Sequence, residues 1–455
     1  MHLSAALFAF CLCASAYGAL MPPLPGAPTV NFRQYAGYFT VGNDKDRHLH
    51  YWFTESQADP SNDPLVLFLY GGPGCSGMAA SLSEWGPFRV DPSGRTLTIN
   101  EFSWNNNANV LVLEAPAGVG YSYADGNKIA TNDQQTAEDN WEALHEFFKK
   151  FPKFHKNGFY LSGESYAGIY VPTLADLILK RQNVFHMNLQ GLFIGNGLTS
   201  QKLNIDTTMQ FEYEHGMVAE SEWQRANTEC CNGEISGCAF HAFTGTGFCA
   251  TFVKNVTLGL WSSPINPYDI YDSCINTPQD PNPTHHSKRF QVDYFHATGK
   301  HVPSNLKVIG CINDTAVETY LNLPAVRKAF FVPDSVPPFQ ACNLAVAAQY
   351  TKQSQEMGSI IKNAIESNVR VYLYHGDIDS VCNFLMGQRF SASLGRAKIS
   401  NKQEYLVNGQ VGGYYTAYDG LEFATVRGAG HVVPAYKPAV ALHILNRFLL
   451  GQTPY

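Results

Sequence analysis

The stretch FYLSGESYAG, residues 159–168, places a serine where an apolar run gives way to a helical pattern. A sharp strand-to-helix turn around a serine is the nucleophile elbow, which exposes Oγ at the end of a sheet. The neighbours must be small, because the turn is tight and other backbone passes close. The fit to G-x-S-x-G is imperfect, since Ala167 holds the fifth position and Gly168 follows it. Taken alone, the pattern is equally well read as a structural turn. Two other stretches change the balance. YLYHGDIDSVCNF sets Asp377 and Asp379 after an apolar run, and FATVRGAGHVVP sets His431 in a glycine-rich turn after another. Each is ordinary by itself, a capping turn and a hydrogen-bonded loop histidine. Together they give serine, acid and histidine in chain order, each following a strand, which is the α/β-hydrolase order.

The chemistry of such a set is acyl transfer. Ser165 attacks only if a base takes its proton, and His431 would do so and later protonate the leaving group. An acid from the 377–379 turn would orient the imidazole and stabilise its cation. The tetrahedral oxyanion needs two preorganised N–H donors. The amide of Tyr166, next after the nucleophile, is one. The other belongs to an earlier loop at a strand end, and LFLYGGPGCSG, residues 67–77, is the natural source.

The positioning elements are legible as runs. Residues 65–70 (LVLFLY) and 109–114 (NVLVLE) are continuous apolar runs of strand length, as are the runs entering Ser165 and Asp377. YAGYFTVGNDKDRHLHYWF reads as a hairpin turning at Gly42-Asn43-Asp44. Ala137, Trp141, Leu144 and Phe148 fall at helical spacing, with Lys149 and Lys150 suited to a C-terminal turn. Residues 167–181 and 438–450 read as helices too. Strands alternating with helices predict an α/β fold with a mostly parallel sheet and helices on both faces. From 204 to 338 the texture changes to cysteines, prolines and polar turns, which predicts an insertion stapled over the sheet. The expected division is a signal at 1–18, a core at 19–203 and 339–455, and the insertion between. Within it, DPNPTHHSKRF reads as an exposed loop open to cleavage near Lys288-Arg289.

Bulk properties bound the remaining classes. The 455 residues are 45% hydrophobic and 15% charged, enough for a large core, and the net charge of −7 argues against nucleic acid. The first residues read as a secretory signal, with an apolar core from Leu3 to Cys13 and small residues Ala14, Ala16 and Gly18 after it. That run is short for a membrane anchor, and the last helix is interrupted by His443, Asn446 and Arg447. Eleven cysteines less Cys11 and Cys13 leave nine, which predicts four bridges and one free thiol in an oxidising compartment. The group from Cys230 to Cys249 does not fit a zinc spacing, so no metal and no cofactor are expected. Sequons at Asn255 and Asn313 agree with passage through the secretory pathway, to a lysosome or to the exterior.

Beyond these readings the chain resembles the serine carboxypeptidases over nearly its whole mature length. GGPGCSG, SLSEWGPFRV, SWNNNANVLVLEAPAGVGYSY, GESYAG, GNG, NPYDIYDSC, YLNLPAVRKA, YHGDIDSVCNF and GAGHVVP carry the likeness. The resemblance implies cleavage of single residues from peptide C-termini. It selects Asp379 as the acid of the triad and Gly72 as the second oxyanion amide. It implies that the insertion is a cap shaping the cleft. It implies bridges Cys75–Cys342, Cys230–Cys249, Cys231–Cys238 and Cys274–Cys311, with Cys382 free beside the site. It also gives Glu84 and Glu164 the task of receiving the substrate's terminal carboxylate with one shared proton. Two close carboxyls cannot both ionise cheaply, so such a pair keeps a proton into the acid range and loses it toward neutrality. Activity is therefore expected to favour acid.

Three positions depart from the family pattern. Tyr70 stands where asparagine helps hold the carboxylate, Val432 where methionine lines the leaving-residue pocket, and Ala115 where serine is common. Tyr70 could donate from a new angle, fill the pocket or turn into the core. The expected partners are peptides with free C-termini, with neither nucleic acid nor membrane, and a homodimer is left open. The alternatives carried forward are an esterase, amidase or acyltransferase on the same triad, and a protective partner of lysosomal glycosidases, a role known among family members.

Overall fold

Along residues 65–70, alternate side chains enter two different cores. Leu65, Leu67 and Leu69 pack with Leu144, Phe147 and Ile178 on one side of the sheet. Val66, Phe68 and Tyr70 pack with Trp85, Trp104 and Met78 on the other. This is the period-2 alternation of a strand covered on both faces, and it explains the unbroken apolar run. The computed structural model describes residues 19–263, 265–272, 288–303 and 313–453. The expected signal and the expected Cys274–Cys311 bridge lie outside the described residues.

Six parallel strands form the centre of a twelve-stranded sheet, in the spatial order Asn109–Leu113, Leu65–Leu69, Phe159–Glu164, Leu189–Gly195, Arg370–Gly376 and Leu421–Val426. Antiparallel strands extend both edges. The hairpin Gln34–Val41 and Arg47–Thr54 joins beside Asn109–Leu113, and Gln410–Tyr418 with Gln403–Val407 joins beside Leu421–Val426. Because the central strands run the same way, the loops that leave them meet along one edge, where ligand sites of open α/β sheets lie.

The helix Asp133–Lys150 starts at Asn132, whose side chain accepts from the Gln135 amide at 2.8 Å. It packs with Ala167–Lys180 on one face, through Trp141, Leu144, Val171 and Leu174. The helix Pro438–Leu449 covers the other face with Ala441, Ile444 and Phe448. Between the strands Leu189–Gly195 and Arg370–Gly376 the chain is helical or irregular apart from the short strand Tyr350–Thr351 among the described residues. The change of texture read at 204 falls inside the helix Gln201–Glu214. Met209, Trp223, Phe240 and Phe252 of this region form a small core of their own. It is stapled by Cys230–Cys249 and Cys231–Cys238, with S–S distances of 2.02 and 2.09 Å. Asn255 and Asn313 are both exposed.

One expectation is corrected here. Of the expected loop, residues 280–287 lie outside the described residues, while Lys288 and Arg289 at its end are not loop: both begin the helix Lys288–Thr298, and Arg289 is only 6% exposed. The polar composition misled because the charge is met inside the protein, while Phe290, Val292 and Tyr294 of the same helix bury an apolar stripe.

Candidate active site

Ser165 sits at the end of the strand Phe159–Glu164 with φ of +64°, a left-handed conformation that roughly 1–2 kcal/mol disfavours for a residue with a side chain. Close packing on both sides holds it there. A Cβ on Gly163 would lie 2.5 Å from the Ala167 Cβ and 2.6 Å from the Leu69 carbonyl oxygen. A Cβ on Gly168 would lie 2.4 Å from the Leu198 amide nitrogen. The second glycine is thus required at 168, where the helix crosses the Gly195-Asn196-Gly197 loop, and Ala167 fits at the fifth position. The Ser165 carbonyl accepts from both Gly168 and Leu198 amides at 2.9 Å.

The glycine loop after the strand Leu65–Leu69 lies directly on this elbow. A Cβ on Gly71 would be 2.5 Å from the Tyr166 amide nitrogen and 2.7 Å from the Ser165 Cβ. Gly72 and Gly74 take φ of +109° and +112°, which side chains rarely adopt. The loop is tied to residues 341–343 by the Cys75–Cys342 bridge, with S–S of 1.99 Å, and by two flanking backbone hydrogen bonds of 2.8 Å. Gly72, Ser165 and Tyr166 line one cavity of about 580 Å³, together with Trp261, Asp293 and Cys382. Val432 is not in that lining. It is half-buried and precedes the short helix Val433–Tyr436.

Asp379 and His431 follow the next strands along the sheet. His431 Nδ1 is 2.8 Å from Asp379 Oδ2, and both residues are buried. With Nδ1–H donating to the carboxylate, Nε2 remains the basic nitrogen. Asp379 Oδ2 also accepts from Asn196 Nδ2 at 2.8 Å and the Cys382 amide at 3.1 Å, and Oδ1 accepts from the Val381 amide at 2.9 Å. Asp377 turns elsewhere and accepts from the Gly428 amide at 2.7 Å, which braces the loop carrying His431. Residues 266–270 also brace it. The Tyr268 carbonyl accepts from the His431 amide at 2.7 Å, and the Tyr268 ring packs 5.3 Å from the imidazole.

Glu164, immediately before the serine, and Glu84 are each 1% exposed and lie side by side. Tyr70 falls on the sheet face that carries Phe68, and its hydroxyl donates to Glu84 Oε1 at 3.1 Å. Of the three options for Tyr70, the structure shows the turn into the core: the side chain is buried with Phe68 and Trp85, and its hydroxyl is taken by Glu84. The Arg289 guanidinium stands 5.0 Å from the centre of the Tyr70 ring, with Nη2 3.9 Å from Glu84 Oε1. Burial raises both carboxyl pKa values. The Glu84 charge pushes Glu164 up further, while Arg289 and the Tyr70 hydroxyl oppose the rise at Glu84. Both carboxyls are therefore shifted toward their protonated forms, Glu164 with the Glu84 charge adding to the effect of burial. Sequence reading gave no part to Asn196, Tyr268, Arg289 or Asp293. Asn196 and Tyr268 had a signal, their places in the GNG and NPYDIYDSC motifs.

A serine elbow, a buried acid–histidine pair and a facing glycine loop, all at the ends of parallel strands, define an α/β-hydrolase of the serine type. A profile of the serine carboxypeptidase family matches residues 25–451, and the chain belongs to that family. It is 39% identical to the mouse lysosomal protective protein over 453 residues, covering 95% of this chain and 93% of that one. It is 34% identical to the Caenorhabditis elegans serine carboxypeptidase ctsa-4.1, covering 97% and 95% of the two chains. Among solved structures, the prohormone-processing carboxypeptidase KEX1ΔP of Saccharomyces cerevisiae superposes with a TM-score of 0.73 at 22% identity, covering 95% of each chain, which shows the common fold.

Proposed function

We propose that this serine-type carboxypeptidase removes single residues from peptide C-termini through an acyl-enzyme at Ser165. His431 serves as base and then acid, Asp379 orients it, and the Gly72 and Tyr166 amides receive the oxyanion. The observation that carries the exopeptidase reading is the buried Glu84–Glu164 pair directly beside the nucleophile. A protonated Glu164 can donate to a substrate carboxylate, and a deprotonated pair would repel it. Activity should therefore be greatest at acid pH and fade as the pair loses its proton. Cys382 lines the cleft, and residues 204–338 form the cap over it. Family, sequons and bridges favour a lysosomal or extracellular site of action.

The test is release of the terminal amino acid from a blocked dipeptide near pH 5. Ser165→Ala should abolish release. If the wild-type enzyme releases nothing while cleaving esters of the same acyl group well, the peptidase assignment fails and the esterase alternative stands.

A further inference from the structure

The helix Lys288–Thr298 comes from the inserted region, and one face of it looks onto the site. Arg289, Asp293 and His296 are spaced four and three residues apart, so they share that face. Asp293 and His296 line the cavity that holds Gly72 and Ser165, and His296 Nε2 reaches the Pro73 carbonyl at 3.4 Å. One turn earlier the same face delivers Arg289 to the Glu84–Glu164 pair. Arg289 is 6% exposed, and its Nε has no hydrogen-bond partner among the described residues. A buried guanidinium with an unused N–H is costly unless an acceptor completes it.

Tyr70 sharpens the point. Its single hydroxyl already donates to Glu84, so residue 70 has no further donor for a ligand. The charges also need a cation. Glu84, Glu164 and Asp314 all face Arg289, so an incoming carboxylate would enter an acidic surround in which Arg289 is the guanidinium at the pair. Guanidinium is the side chain best matched to a carboxylate.

We propose that Arg289 binds the terminal carboxylate of the peptide substrate, supplying from the inserted region the donor that residue 70 does not. This rests on the reading of Glu84 and Glu164 as the carboxylate site. The groups facing Arg289 are Tyr70, Glu84 and Glu164 from the core and Asp314 from the segment that follows the helix. Tyr268, Asp293 and Tyr436 lie farther out, and Arg89 faces Glu84 from behind.

The experiment compares a blocked dipeptide bearing a free C-terminal carboxylate with its C-terminal amide, as KM and kcat across pH. The enzymes are wild type, Arg289→Gln and Arg289→Lys. In Arg289→Gln the preference for the free acid should fall about tenfold or more at low pH, through KM, as expected for a lost charged hydrogen bond. Removing a cation also raises the hold of the pair on its proton, so the pH at which acid binding is lost should move up. Arg289→Lys should recover part of the preference, and it carries the test if the glutamine variant does not fold. An unchanged KM at low pH with only the upward shift would make Arg289 a distant counter-charge and overturn the proposal. A lower KM would make it an occluding group and overturn it as well. A wild-type enzyme that treats acid and amide alike would instead remove the reading of the pair itself.

Discussion

Gly71→Ala isolates the contact between the glycine loop and the elbow. Gly71 does not occupy the left-handed region, so the substitution adds a methyl group without backbone strain. That methyl would sit 2.5 Å from the Tyr166 amide nitrogen, 2.7 Å from the Ser165 Cβ and 2.8 Å from the Glu164 carbonyl oxygen. Ordinary contact distances start near roughly 3.5 Å, so loop and elbow must part by about 1 Å. None of the three atoms is the end of a flexible side chain. Misplacing one oxyanion donor costs about 3 kcal/mol of barrier, or roughly 10²–10³ in kcat. Overpacking should also lower stability by about 1–3 kcal/mol. The assay is the pre-steady-state burst with a chromogenic ester, which reports acylation, alongside thermal melting. Gly358→Ala is the control, since its Cβ would meet only Leu394 Cδ2 at 3.7 Å in the first turn of a helix. Acylation in Gly71→Ala within about threefold of wild type would refute the reasoning, because the loop would then not be packed to hold a donor.

Asp379→Asn replaces the acceptor of the His431 proton with a group that can donate there. It should lower kcat by about 10⁴, the order seen for that exchange in another serine triad. Asn196→Ala removes one of the donors to the Asp379 carboxylate. It should cost roughly tenfold in kcat with KM little changed, measured on the same ester. Burial pushes the Glu114 carboxyl up to about 7 and the Glu212 carboxyl up to about 8. Both exceed the ordinary carboxyl value, so the folded chain retains protons that the unfolded chain releases, and stability should fall as pH rises through that window. Thermal melting near pH 5 should accordingly exceed that near pH 8, and the opposite order would contradict it. Replacing Cys75 and Cys342 by serine opens a span of 267 residues and should lower stability by about 2–5 kcal/mol in denaturant melts.

What could be read from the chain follows from how far each signal reaches. The strands entering Ser165, Asp377 and His431 announce themselves by apolar runs, because both faces of the sheet are covered. The serine, the acids and the histidine stand out because each follows such a run. Tyr70 could be placed on a strand but not aimed, since its direction depends on the register that puts Phe68 and Trp85 on its face. Arg289 was not legible. Its neighbours in sequence are polar, and its partners Glu84 and Tyr70 lie some two hundred residues away, where no local pattern can reach them. Asn196 was half legible, as a residue between two glycines whose side chain spans Asp379 and the Gly376 amide.

The segment 265–272 braces the loops that carry Asp379 and His431. Its Pro267 carbonyl accepts from the Ser380 amide at 3.1 Å and the Ser380 hydroxyl at 2.6 Å, beside Asp379, and its Tyr268 carbonyl fixes the His431 amide. The Tyr268 hydroxyl then donates to Asp293 on the helix that carries Arg289. One chain of contacts therefore runs from the imidazole, through Tyr268 and Asp293, to the guanidinium at the Glu84–Glu164 pair. Asp379 and His431 follow strands of the sheet, yet their loops are held by Pro267 and Tyr268. Under the role proposed for the Glu84–Glu164 pair, this link would join the carboxylate site to the base, the relative placement that removal of a single terminal residue requires.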